Sequence, residues 1–202
     1  MKEIVPGIHH WTGVHPKLKI VVSSYYLPDD RILIDPLIPA EGLKGFQRGV
    51  EHILLTNRHH YRQSGEIQDA FGCTVWCVET GMHEFTHGEK VRPFKFGDSL
   101  PGRIEPIEIG ALCPDETALF IVESAQRKSG AVALADGAVR EKRGPLAFVP
   151  DEYMGEDPTR VKAGLKESYR RLLNRSFDTL LLAHGLPVVG RGREALRAFV
   201  ES

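Results

Sequence analysis

The chain has little of what sorts proteins quickly. It has no excess of one charge: 26 Lys and Arg stand against 27 Asp and Glu, a net charge of -1. A chain so balanced draws neither nucleic acid nor an anionic membrane to itself. Cysteine is scarce and odd in number, and Cys73, Cys77 and Cys113 do not make a disulfide framework. Cys73 and Cys77 flank Thr74-Val75-Trp76 and read as buried thiols on one side of a strand. No apolar run approaches the length of a membrane span. Met1-Lys2-Glu3-Ile4 carries no signal-peptide core, so the cytoplasm is the expected location. Gly-x-Ser-x-Gly and the Gly-rich phosphate loop ending Gly-Lys-Ser/Thr are both absent.

What is present suits one compact domain over residues 1–202, with 42% hydrophobic residues to fill a core. So little net charge leaves little repulsion between copies, and a homodimer is an expected partner state. A short strand over 3–9 is broken by Pro6-Gly7. Residues 18–26 and 31–35 read as a hairpin around Pro28-Asp29-Asp30. Residues 40–48 read as a weak helix, and 51–56 as a short apolar strand. A helix from Ser64, its expected cap, to about Ala70 leads into a buried strand over 74–78, completing a βαβ unit. Further strands are expected over 103–109, 117–122, 130–136 and 177–183. Residues 141–158 lack any period and read as a loop. Val161, Leu165, Tyr169 and Leu172 form one stripe of a helix over 159–174, and a closing helix occupies 191–201.

Three polar residues stand just beyond apolar strands: His59, Asp136 and His184. Residues in that position face a common crevice in α/β sheets. Two imidazoles and a carboxylate could hold one Zn, Fe or Mn ion and leave a coordination position open. The plainer alternative has both histidines bonding backbone around tight loops while Asp136 orders its own turn.

The order Leu-Ile-Asp-Pro36, Leu-Leu-Thr56 followed by Asn57-Arg58-His59-His60-Tyr61-Arg62 and Gly65, Ala-Leu-Ala-Asp-Gly137 and Leu-Leu-Ala-His-Gly185 resembles a metallo-β-lactamase-fold protein over nearly the whole chain. The resemblance implies a four-layer αβ/βα sandwich, with two mixed sheets packed face to face and helices outside. It implies a two-metal centre bound by His-x-His-x-Asp-His, a further loop histidine, a bridging Asp and a last His. Carried over by position, those ligands fall on Asn57, His59, Tyr61, Arg62, Leu112, Asp136 and His184. His60 should point elsewhere. A phenol is protonated near neutrality, Leu112 has no lone pair, and Arg62 brings a fixed cation where a dication would sit.

Three functions follow as expectations. In the first, the metal centre has decayed, no cofactor is expected, and the crevice binds a small anionic ligand through Arg58 and Arg62. In the second, one Zn, Fe or Mn ion on His59, Asp136 and His184 supports ester, thioester or phosphodiester hydrolysis. In the third, the chain is a homodimer scaffold, its crevice filled by an Arg62–Asp136 salt bridge with Tyr61 packed over it.

Overall fold

The computed structural model describes residues 1–202. It opens on a hairpin of β1 (Lys2–Val5) and β2 (Ile8–Val14). The Pro6-Gly7 break expected within one strand is the reversal between two. Proline presets the first turn residue, and Gly7, at φ 78, takes the left-handed second one. A second hairpin joins β3 (Val21–Leu27) to β4 (Ile32–Ile34). Then come β5 (His52–Leu54), helix α1 (Ser64–Phe71), β6 (Thr74–Val78) and β7 (Val91–Phe94). These seven strands form one sheet in chain order, antiparallel from β1 to β4 and parallel from β4 to β7. The expected β5–α1–β6 crossover is present. Ser64 does not cap it: Gln63 holds the N-cap position, and Ser64 is buried with its hydroxyl unpartnered.

The second half supplies β8 (Ile104–Glu108), β9 (Thr117–Ile121), β10 (Gly130–Leu134), β11 (Ala138–Arg140), β12 (Leu146–Phe148), helix α2 (Pro158–Leu172), β13 (Phe177–Leu182) and helix α3 (Gly192–Glu201). Its main sheet runs β13-β10-β9-β8, with β10 and β13 parallel and the other pairs antiparallel. The two sheets meet face to face. Tyr25, Leu27, Ile34 and Leu54 of the first pack with Leu119, Ile121, Ala133 and Leu181 of the second in one buried cluster. Ile67 of α1 covers the outer face of the first sheet, with Phe46, Ile53 and Val75. Leu165, Tyr169 and Leu172 of α2 and Leu196 and Phe199 of α3 cover the outer face of the second. The result is the four-layer αβ/βα sandwich, each amphipathic face buried against its neighbour.

Two expectations are corrected. The weak helix over 40–48 shrinks to a 3-10 turn at Leu43–Gly45, which leaves Phe46 free to pack on Trp11 and Tyr26. The loop over 141–158 contains β12, paired with β11, and a 3-10 turn at Asp151–Tyr153. No helix is long and apolar enough to cross a membrane. Cys73 and Cys77 are buried in the α1-side cluster, where desolvation pushes their thiols up to about 11 and about 12.

Candidate functional site

Two parallel strand pairs, β4–β5 in one sheet and β10–β13 in the other, end at the same edge of the sandwich. Asp35 follows β4, the 57–62 segment follows β5, Asp136 follows β10 and His184 follows β13. Strand β3 ties the far side of this edge. Ser23 N donates to Ala183 O at 2.9 Å, Ser23 Oγ to Gly185 O at 2.8 Å and Tyr25 Oη to Leu182 O at 2.8 Å. Gly185 sits at φ 109 against the Arg140 backbone, where any Cβ would collide with the Arg140 carbonyl. Arg140 N in turn donates to His184 O at 3.1 Å. The His184 backbone is therefore held from both sides.

The 57–62 segment departs from the register that the family motif implies. Arg58–Tyr61 forms a 3-10 turn with Asn57 as its N-cap, the Asn57 side chain accepting from His59 N at 3.0 Å. In a 3-10 turn residues i and i+3 share a face. Asn57 and His60 both face Asp136. Asn57 Nδ2 donates to Asp136 Oδ2 at 2.7 Å, and His60 Nε2 lies 3.0 Å from Asp136 Oδ1. Arg58 and Tyr61 instead face the 79–85 segment. Arg58 pairs with buried Asp115, and Tyr61 packs on Phe85. His59 is left exposed.

The structure thus joins His60, not His59, to Asp136 and His184; the donor atoms of these three lie within 4.8 Å of one another. His184 Nε2 is 2.8 Å from the same Asp136 Oδ1. His59 lines the cavity above without joining the cluster, and Tyr61 lies outside that cavity. Leu112 lines it from the second sheet's side and supplies only apolar surface. Arg62, at φ 46, donates from Nη1 to Ser23 O and Asp35 O, each at 2.6 Å. The expected Arg62–Asp136 salt bridge is not formed, because those two carbonyls hold the guanidinium. Arg58 is no free anion donor either, since Asp115 takes its charge.

Asp35 is the residue that sequence reasoning left out. It is buried, and its Oδ2 accepts from His60 Nδ1 at 3.0 Å and from Thr56 Oγ1 at 2.6 Å, while Oδ1 accepts from Thr56 N at 2.9 Å. A signal for it exists in the sequence: like Asp136, it is a carboxylate directly after an apolar strand. Glu116 was also missed. It fixes the Asp136 loop from behind, its Oε1 accepting from Gly137 N at 2.7 Å.

Charge organises the cluster. Burial works against a charged His60, but the carboxylates of Asp136 and Asp35 on its two nitrogens outweigh burial and raise it to about 9. Burial likewise opposes the charge on Asp136, yet the His60 and His184 rings hold it well below the usual carboxylate range. Asp35 is lowered in the same way, by His60, Arg62 and Thr56 against its burial. Glu116 has no such partner, and desolvation lifts it to about 7. With both nitrogens of His60 on carboxylate oxygens, the ring carries two protons, or a cation replaces the proton on Nε2.

No protein-family model and no curated protein matches the chain by sequence. Solved structures do match its shape. A B3 metallo-β-lactamase with an active-site glutamic acid is 19% identical at a TM-score of 0.63, covering 89% of this chain and 80% of its own. A metallo-β-lactamase family protein from Thermus thermophilus is 16% identical at a TM-score of 0.66, covering 98% and 80%. The flavodiiron protein of Giardia intestinalis is 14% identical at a TM-score of 0.65; this chain spans 58% of it. The chain has the metallo-β-lactamase fold.

Proposed function

We propose that the protein is a hydrolase of small esters, thioesters or phosphodiesters that works with one metal ion, held by His60, Asp136 and His184. The observation that supports this reading is the convergence of those three donors within 4.8 Å at the base of a cavity of about 620 Å³. The donor set fits a single Zn, Fe or Mn ion. Asp35 on His60 Nδ1 is the outer carboxylate that orients a ligating imidazole and raises its basicity. Asn57 takes the second oxygen of Asp136 and leaves Oδ1 turned toward both rings. With His60 neutral, Asp35 and Asp136 outweigh Arg62 by one negative charge, which favours a cation. A second ion does not fit, because Tyr61 faces away, Arg62 brings a fixed cation to its ligand position and Leu112 offers no donor. A bound ion would serve as a Lewis acid on a carbonyl or phosphoryl oxygen.

A second reading is favoured by one observation: His60 already satisfies both nitrogens between Asp35 and Asp136. A proton then closes the network, and the cavity is a metal-free module for a small anionic ligand. Elemental analysis of purified, dialysed protein separates the two. The single-metal reading expects about one ion per chain, lost in Asp136→Ala and His60→Ala together with any hydrolysis. A metal-free wild type that still binds small carboxylates would replace it with the second.

A further inference from the structure

The cavity has an uneven lining. Its base holds His60, Asp136 and His184, whereas its walls carry Leu18, Ile20, Val139, Val149 and Tyr153. Leu18 is 65% exposed, Ile20 43% and Tyr153 66%, and large apolar side chains are costly to leave in water. Scattered singly, such residues would need no explanation; gathered around one cavity, they mark a binding surface.

The exposure is built rather than incidental. The loop carrying Leu18 and Ile20 is closed by its own backbone, with His15 N donating to Ile20 O at 2.8 Å and Lys19 N to His15 O at 2.9 Å. The His15 ring reinforces it, as Nδ1 accepts from Leu18 N at 3.1 Å and from Lys17 N at 3.3 Å. On the opposite wall Tyr153 N donates to Pro150 O at 3.0 Å, and the next residue, Met154, is buried in the second sheet's outer core. Two ordered arms therefore present apolar side chains beside a polar base. Of the two arginines in the lining, Arg58 is paired with Asp115, and Arg62 is held by the Ser23 and Asp35 carbonyls.

We propose that the ligand of this cavity is an acyl ester or thioester with an aliphatic arm. Its carbonyl end lies at His60, Asp136 and His184, and its arm runs between Leu18 and Ile20 on one side and Val149 and Tyr153 on the other. The proposal rests on the cavity reading above and narrows its substrate class from any small ester, thioester or phosphodiester to acyl compounds. Hydrolysis adds water across the acyl C–O or C–S bond: the acyl carbon gains the hydroxyl, the leaving oxygen or sulfur gains the proton, and nothing is oxidised or reduced. The carboxylic acid product shares both the polar end and the arm.

Straight-chain carboxylates from butanoate to decanoate, titrated calorimetrically into the full chain with metal content measured on the same sample, test it. Affinity is expected to rise about two- to fourfold per methylene up to octanoate. In Leu18→Ser/Ile20→Ser, whose positions are exposed and leave the core intact, the affinity ratio of octanoate to butanoate should collapse to below about threefold. A flat or absent series in the wild type overturns the proposal. So does an undiminished ratio in the double variant, including one that converts a dimer to a monomer in sedimentation, since the patch would then be an interface between copies. Failure of the single-metal reading looks different: metal is absent while the chain-length ratio and its loss in the double variant persist.

Discussion

The two faces of the 57–62 turn differ in what they join. On one, Asn57 and His60 reach across to Asp136 and link the two sheets. On the other, Arg58 and Tyr61 anchor the turn to the Asp115 and Phe85 segments, which supports the loop. His59 stands exposed between them. Adjacent histidines thus have opposite environments, and the cause is local: a three-residue turn sorts side chains by i and i+3, where an extended reading would sort them by alternation. Residue type alone does not say which histidine joins the site; backbone conformation does.

The largest effect expected from breaking this contrast is on the inward face. Asp136→Asn removes the charge shared by two imidazoles and leaves His60 buried against a weaker partner. It should cost about 3–5 kcal/mol in urea unfolding and abolish metal retention. His60→Ala should do the same to the metal.

Arg58→Ala breaks the outward face. It strands the buried Asp115 carboxylate, so a loss of about 3 kcal/mol is expected by the same measurement. Metal stoichiometry should stay at the wild-type value, which separates support of the loop from construction of the cluster.

A graded effect should follow pH. In chelator-treated protein His60 sits at about 9, above its unfolded value of about 6.5. A raised histidine stabilises fully below the unfolded value and loses that contribution as pH rises through the folded one. Unfolding free energy should therefore fall between about pH 6.5 and 9, and His60→Gln should flatten that fall. A bound ion replaces the proton and should flatten it too. The smallest effect belongs to His59→Ala, expected within about 0.5 kcal/mol of wild type with metal content unchanged.

Much of this architecture is readable from the chain. Asp136 and His184 end apolar strands and stand at the shared edge, as their positions imply. The β5–α1–β6 unit follows from its apolar runs and from Gly72, which ends α1 at φ 67. Other parts escape for physical reasons. Strands β11 and β12 are three residues each, too short to show alternation. The choice of His60 over His59 depends on Asn57 capping a single 3-10 turn, and no periodicity spans so few residues. Asp35 was legible as the end of a hairpin, but its partner lies 25 positions on, and only the fold brings them together.

The cluster draws its members from both sheets: Asp35 and His60 from the first, Asp136 and His184 from the second. Whatever sits on His60 Nε2, proton or ion, is thereby a rivet through the sandwich. It closes a chain loop of more than a hundred residues between His60 and His184, so its removal frees the halves of the protein from each other as well as emptying a site. Occupancy and unfolding temperature should then report the same equilibrium, and an ion's affinity can be read from the shift in melting before any substrate is known.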